Sequence, residues 1–266
     1  MAESLQQVLD EAPPEVAMWL ESSPPIAEVD PDERYTVVRP EPERLCALFR
    51  AIGIARLLTV GDTDGFYDDL MRSARARIYF LGRASEEGYV GPDLASSRWN
   101  GLFDALAAND LDAAREIGRS SPAEWMKEDE YEDDFCYARF LHLWIDAGDS
   151  DEIAAVLERF EESLEGGGSA RLDVCRALLG GEPSSFDAAF AALVDEREAE
   201  IADAVERHEL VTDSVLTDRA VFVEGLALLR LAASAGFSVR DEYPLCPALA
   251  RLERNAGFPD DGYPRL

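Results

Sequence analysis

The chain has 266 residues, of which 47% are hydrophobic and 30% charged, a balance typical of a folded globular protein. Its 55 Asp and Glu residues outnumber its 25 Lys and Arg residues, which gives a formal net charge of -30. A surface this acidic repels nucleic acid and anionic membranes, so we expect neither of them as a partner.

Two explanations fit the excess of acidic residues. It can reflect the composition of a whole proteome, a view that the single lysine of the chain, Lys127, supports. It can also reflect an acidic surface that matches a basic protein partner. The residue counts leave both explanations open.

The cysteines and the N-terminus indicate a cytoplasmic protein. Four cysteines lie far apart and lack the CxxC spacing, in a chain large enough to fold without disulfides: Cys46, Cys136, Cys175 and Cys246. The N-terminus has neither the basic nor the apolar region of a signal peptide, and charged residues interrupt the most apolar stretch. We therefore expect neither a signal peptide nor a membrane span.

The first 44 residues are rich in proline, which removes the backbone donor that a helix interior needs. Seven prolines fall there: Pro13, Pro14, Pro24, Pro25, Pro31, Pro40 and Pro42. We expect only short helices in this part, with Tyr35 to Arg39 lying extended on the rest of the molecule. The pattern predicts a proline-rich segment over residues 1–44 and a single all-helical domain over residues 45–266.

Two helices are predicted directly after this segment. The first carries apolar residues on one face as far as about Val60, and Asp62 or Asp64 is expected to cap the next helix. That second helix runs from Gly65 to Glu87, with apolar residues at steps of three or four: Phe66, Leu70, Ala74, Ile78 and Leu81.

The middle of the chain repeats one pattern three times, over residues 99–117, 137–160 and 172–193. In each case an apolar helix leads into a short turn with Asn or Gly, and a second, alanine-rich helix follows that opens with an acidic or Ser cap. Asn or Gly supplies the left-handed end of the first helix. The acidic residue after it, which is Asp110, Asp149 or Glu182, is expected to cap the second helix.

One helical hairpin cannot bury its own apolar face, whereas stacked hairpins can. We therefore predict an all-α fold of antiparallel helical hairpins, stacked as a short irregular solenoid or bundle, with an extended proline-rich N-terminal segment. The three turn acids lie 39 and then 33 positions apart, a spacing too irregular for a strict tetratricopeptide array.

The C-terminal part contains the most apolar helix. Leu216 to Ala235 is apolar nearly all round and is predicted to be the central, most buried helix. A corner at residues 243–247 and a last short helix from Ala248 to Asn255 are expected to follow it.

Few residues can carry acid–base chemistry. The two histidines, His142 and His208, are 66 positions apart in different predicted helices. His142 lies in an apolar helix and is expected to be structural, and His208 fits a helix C-terminus. No nucleophile, zinc or nucleotide-binding motif occurs. We expect no catalytic residues, no cofactor and no metal.

Two acidic patterns resemble metal sites but are better explained by structure. Asp62 to Gly65 resembles the start of a calcium loop, yet Ser73 stands where the bidentate Glu is needed, so a helix cap is favoured. The acidic residues between Asp195 and Glu206 lack the histidines of helical di-metal sites and are expected to form a solvated face.

The densest acidic run has six carboxylates in seven positions around Tyr131 and begins an aromatic helix. It is either an overcharged, solvated helix start or a landing site for a basic partner, with Tyr131 or Trp125 as the anchor. The candidate partner-binding residues are Trp125, Glu128, Asp129, Glu130, Tyr131, Glu132, Asp133 and Asp134.

Several segments are distinctive in their order and spacing: the helix Ala74 to Ala84, Trp99 with Ala108-Asn109-Asp110, the run Glu130 to Tyr137, Ala147-Gly148-Asp149, and the helix Leu226 to Phe237 with Pro244 and Pro247. In these segments, from about residue 64 to residue 250, the chain resembles the immunity protein 49 family, helical antitoxins of bacterial polymorphic toxin systems.

The resemblance implies a cytoplasmic protein, encoded beside a secreted toxin, that binds the toxin domain and blocks it without catalysis. It supplies no catalytic residues. The acidity would suit a basic toxin that attacks nucleic acid. Two other classes stay open: a tetratricopeptide-like scaffold or regulator that binds a peptide or protein, and a helical hydrolase or metalloenzyme in which His142 or His208 meets carboxylates.

Overall fold

The computed structural model describes residues 2–22, 40–207, 213–254 and 257, and the regular structure of these residues is helical, without a strand. Short 3-10 turns lie at Pro92–Leu94 and Ala248–Arg251. The α-helices are α1 (Ala2–Ser22), α2 (Pro40–Val60), α3 (Thr63–Glu87), α4 (Asn100–Ala107), α5 (Leu111–Ser120), α6 (Glu132–Ile145), α7 (Ser150–Ser163), α8 (Ala170–Gly180), α9 (Pro183–Glu206), α10 (Asp213–Asp218) and α11 (Val223–Ser234). The predicted all-α fold is confirmed.

The three predicted hairpins correspond to α4 with α5, α6 with α7 and α8 with α9, and the helices of each pair pack on each other. Left-handed residues end the first helices at Asn109, Ala147 and Gly181. In the second turn the left-handed residue is Ala147 and not a glycine. Gly148 has another role, because a Cβ at this position would lie 3.0 Å from the Leu143 side chain.

Two of the three turn acids cap the helices that follow them. Asp110 accepts a hydrogen bond from the Ala113 amide (3.0 Å), and Asp149 accepts from the amides of Asp151 (2.9 Å) and Glu152 (3.2 Å). The expected cap by Glu182 is wrong, because its side chain accepts no such bond. Proline follows it at the first position of α9, where the missing N–H needs no acceptor.

Helices α2 and α3 precede the three hairpins in the chain; they pack on each other, and this pair packs on α4 and α5. The Asp62 carboxylate accepts from the Gly65 amide (2.9 Å), which confirms the predicted cap of α3. The expected apolar face of α3 is buried, with Ile78 partly so. Arg77 on the same helix is also buried, and its guanidinium donates to the carbonyls of Asp93 (2.5 Å) and Ala95 (3.3 Å). The helix therefore also holds the loop before α4.

The central helix α11 packs on α4 and α9, and nine of its twelve residues are buried. Its predicted start at Leu216 is wrong, since α10 ends at Asp218 and α11 begins at Val223. The chain turns between the two helices, where the Phe222 amide donates to the carbonyl of Leu245 (2.7 Å). The last predicted helix is a 3-10 turn over Ala248–Arg251, and Asn255 lies outside the described residues.

The N-terminal helix differs from the expectation of short helices. α1 is one helix of 21 residues with Pro13 and Pro14 inside it. Each interior proline costs about 3 kcal/mol. Burial of four side chains against α2 opposes that cost: Leu5, Val8, Ala12 and Val16.

Helix α1 and one face of α2 share a small apolar cluster, apart from the large core formed by the rest of the chain. Glu15 and Arg44 join the two helices by an ion pair of 2.7 Å. Because α2 begins at Pro40, it runs across the predicted boundary at residue 44, and that domain division stays a prediction. Residues 35–39, expected to be extended, lie outside the described residues.

The acidic residues from Asp195 to Glu206 on α9 lie on the surface, as expected for a solvated face. None of the described helices is both long enough and apolar enough to cross a bilayer.

Two aspartates are buried with their ion-pair partners. Asp69 meets Arg56 (2.9 Å) and Arg72 (2.7 Å), and Asp104 meets Arg50 (2.7 Å). Burial removes water from both carboxylates and raises their pKa to about 6, an effect that the arginines only partly oppose. The folded state therefore holds these protons more tightly than the unfolded state.

A raised carboxyl pKa means that stability falls as the pH rises from about 4 to about 6. We expect the free energy of unfolding to be larger at pH 5 than at pH 7, with about 1 kcal/mol from each of Asp69 and Asp104. Urea unfolding at both pH values measures the difference. Asp69→Asn should reduce it, whereas the exposed Asp195→Asn should not. An equal difference in both variants would contradict this origin.

The caps give a second expectation. Asp149→Ala removes the acceptor of two amides at the start of α7 and should lower the free energy of unfolding by about 1 kcal/mol. Glu182→Ala changes the corresponding turn acid, which caps nothing, and should leave stability nearly unchanged. Urea unfolding of both variants tests the difference, and equal losses would contradict it.

Candidate partner-binding surface

The acidic run begins in the loop between α5 and α6, residues 121–131, which we call the acidic loop, and continues into the first turn of α6. Hydrogen bonds fix this loop to the segment before α4. The Ser96 hydroxyl donates to the Pro122 carbonyl (2.8 Å). Within the loop, the Trp125 indole N–H donates to the Glu130 carbonyl (3.1 Å). The half-buried Trp125 also packs on the core, with the Arg159 guanidinium 5.4 Å from its ring centre.

Glu130 turns inward and holds the loop. One carboxylate oxygen accepts from the amide of Ser97 (2.9 Å), and the other accepts from the amide of Met126 (3.3 Å). These two bonds satisfy amides of both segments that meet here. Glu130 therefore stabilises the shape of the acidic loop.

Arginines from two neighbouring helices pair with acids in the first turn of α6. Arg159 of α7 lies 2.7 Å from Glu132, and Arg171 of α8 lies 3.6 Å from Asp134. Burial and the nearby Asp133 raise the pKa of Asp134, and Arg171 only partly opposes this. These ion pairs reduce the repulsion that six adjacent carboxylates would otherwise produce.

Arg171 is the centre of a polar cluster beneath the acidic loop. Its guanidinium donates two hydrogen bonds of 2.9 Å to the two carboxylate oxygens of Glu224, and the Tyr137 hydroxyl donates to the same carboxylate (3.0 Å). The guanidinium also stacks on Trp99, 4.7 Å from a ring centre. Although burial disfavours its charge, Glu224 raises the pKa of Arg171. Helices α6, α8 and α11 are thus joined at one point.

The remaining acids of the run form no ion pair within the described residues. Glu128 is exposed, and Asp129 and Asp133 are half-buried. Tyr131 lies between them with 79% of its surface exposed, although its backbone marks the start of α6. A large aromatic side chain in this position offers apolar contact area inside a negatively charged rim.

A groove of about 570 Å³ runs beside these residues. Its walls come from the acidic loop and the segment before α4, and they include Arg98, Trp99, Lys127 and Asp134. Of the predicted contact residues, the structure brings Glu128 to Tyr131 and Asp134 to this groove. Whether they touch a partner stays a prediction.

The described residues hold no group of three or more His, Cys, Asp or Glu side chains arranged to bind a metal. His142 is buried against Gly118, burial lowers its pKa to about 3, and its Nδ1 has no hydrogen-bond partner there. The burial of this neutral ring in the core agrees with a structural position. His208 lies outside the described residues.

The four cysteines are free and buried. Burial raises their pKa values, so they persist as unreactive thiols at neutral pH.

Sequence reasoning missed Arg159, Arg171 and Glu224 as parts of this surface. One signal pointed to Glu224, because a carboxylate in an otherwise apolar central helix requires a buried cation. Nothing in the local sequence identifies Arg171 as that cation, since the two residues are far apart in the chain.

One family model, described as Immunity protein 49, matches residues 43–250 of the chain. The match covers α2 from residue 43 onward, all of the helices from α3 to α11, and the acidic loop. No curated protein and no solved structure matches the chain.

Replacing Glu224 by Gln should destabilise the protein, because it leaves the Arg171 charge without its main partner in a largely buried cluster. We expect a loss of about 2 kcal/mol in the free energy of unfolding. Asp146→Asn removes a similar charge from an exposed pair with Arg119 and should change little. Urea unfolding tests both variants, and an equal effect would contradict the central role of Arg171.

Proposed function

Because the chain belongs to the immunity protein 49 family, we propose that it binds a toxin domain in the cytoplasm of the cell that makes it. It neutralises that domain by covering its working surface and carries out no chemistry itself. The family match supports a toxin-neutralising role, and the geometry of the acidic loop supports a particular surface for it.

One observation supports this surface most directly. Tyr131 is 79% exposed, and Glu128, Asp129 and Asp133, which lie within three positions of it in the sequence, have no ion pair within the described residues. Binding energy at protein interfaces is concentrated in a few aromatic anchors, with charged residues at the rim. Tyr131 fits the anchor, and the carboxylates fit the rim.

The contacts that hold the acidic loop in place also favour binding of a protein partner. Glu130 and Trp125 fix the acidic loop by hydrogen bonds, and Arg171 fixes the first turn of α6. A surface that is ordered before binding loses less conformational entropy on association. The loop is therefore suited to rapid binding of a rigid partner.

The charge of the surface suggests the chemistry of the toxin. Carboxylates at the rim attract a basic partner over a distance and raise the association rate, mainly at low ionic strength. Enzymes that attack nucleic acid carry basic surfaces for the phosphate backbone. We therefore favour a basic nuclease toxin, whose nucleic-acid-binding face the acidic loop would cover.

Co-expression with the toxin encoded next to this chain tests the function. Growth should be rescued by the chain, and the two proteins should form a complex that associates more slowly at high salt. Failure of rescue would contradict the immunity function and favour a helical scaffold that binds a peptide. Association that is insensitive to salt would contradict the basic partner.

Variants test the surface. Glu128→Gln, Asp129→Asn and Asp133→Asn together should slow association with the toxin about tenfold, and Tyr131→Ala should weaken the complex by about tenfold or more. The matched control neutralises three exposed acids of α9: Asp195→Asn, Glu198→Gln and Asp203→Asn. Surface plasmon resonance measures the rates. An equal effect of the control would move the contact surface elsewhere.

A further inference from the structure

A second, smaller pocket of about 180 Å³ lies behind the segment before α4, and we call it the donor pocket. Its walls include residues of α2, α3 and the start of α4, and they carry an unusual number of hydrogen-bond donors for so acidic a chain. The residues that matter are Glu43, Arg77, Ser97, Arg98, Asn100 and Gly101.

Arg77 forms the inner wall of the donor pocket and is only 2% exposed. Its two terminal nitrogens donate to loop carbonyls, while its Nε has no acceptor among the described residues. Burial lowers the pKa of Arg77 to about 10, which still leaves it charged at neutral pH. A buried cation with an unused donor is a favourable site for an anion.

The first turn of α4 supplies further donors. Trp99 precedes the helix and provides no side-chain cap, so the first amides of α4 are not capped. The side-chain oxygen of Asn100 already accepts a hydrogen bond from Arg50 (3.0 Å). The side-chain NH₂ group of Asn100 is left as a donor. A helix N-terminus also attracts negative charge.

Gly101 brings these donors together. A Cβ at this position would lie 2.6 Å from the Cβ of Arg77, a distance that side chains do not tolerate. Glycine therefore lets the arginine stem pass directly against the start of α4. The close approach places a charged side chain and uncapped amides in the same wall.

Arg98 lies at the half-exposed side of the donor pocket and pairs there with Glu43 at 2.9 Å. Glu43 is the single acid among the residues that line the pocket, against two arginines. The local charge is thus positive, although the chain as a whole carries -30.

We propose that the donor pocket binds a small oxyanion, a carboxylate or phosphate group. Arg77, Arg98, the Asn100 amino group and the first amides of α4 are the donors that would hold it. The donor pocket shares Ser97, Arg98 and Trp99 with the groove beside the acidic loop, but its anion-binding role does not depend on toxin binding.

Inorganic phosphate and acetate, titrated separately into the full chain at ionic strength held constant with NaCl, test the site. Calorimetry and Trp fluorescence should show saturable binding at millimolar or lower concentration, since Trp99 lines the pocket. The two titrations distinguish phosphate from carboxylate as the preferred group. Saturation by neither anion below about 10 mM would overturn the proposal.

Two charge variants should change the affinity for the anion in opposite directions. Arg98→Gln should weaken binding about tenfold, whereas Glu43→Gln should strengthen it about tenfold, because it frees Arg98. Arg119→Gln and Asp146→Asn make the same charge changes in a surface ion pair elsewhere and should leave affinity unchanged. Equal shifts in the two pairs of variants would overturn the site, since they would show a response to net charge alone.

Discussion

The contact between Arg171 and Glu224 determines how the middle of the molecule is organised. A carboxylate on the most buried helix requires a cation. Among the described residues, the only arginine that donates a hydrogen bond to it is Arg171 of α8. A buried ion pair contributes little net stability, because both charges lose water, but it strongly favours the one arrangement that brings them together. Here that arrangement aligns α6, α8 and α11.

The same cluster also contacts residues at the protein surface. Arg171 stacks on Trp99 and lies near Asp134, so the cluster connects the central helix to the groove and to the first turn of α6. The acidic loop is then fixed by Glu130 from its other side. A rigid loop presents its exposed side chains in one geometry, which is what a tight binding surface needs.

The acidic run therefore combines two roles that its sequence does not separate. Glu130, Glu132 and Asp134 meet backbone amides or arginines of the same chain, and they stabilise the fold. Glu128, Asp129 and Asp133 meet no such partner among the described residues and leave negative charge at the surface. Only the second group is available to attract a basic partner.

Local patterns predicted much of the fold. The 3.6-residue period located α3 and the buried helix α11, and the turn acids Asp110 and Asp149 located two helix starts. These signals succeed because capping and amphipathicity involve neighbouring residues. Helix α1 was missed because its prolines are a local penalty, while the packing on α2 that opposes it is long-range.

The site was predictable only in part for the same reason. Six carboxylates in seven positions mark the acidic loop and the first turn of α6 in the sequence, but the arginines that pair with some of them lie on other helices. Arg159 and Arg171 belong to α7 and α8, and no local spacing links them to the run. Which acids face inward is therefore decided by tertiary contacts.

Hydrogen–deuterium exchange of the chain, free and bound to a toxin that it is proposed to neutralise, tests the acidic loop as the contact surface most directly. Burial of the loop by the toxin should slow exchange at backbone amides from Ala123 to Tyr131, while the amides of α9 keep their free rates. Unchanged exchange in the loop together with slower exchange on another face would contradict this surface.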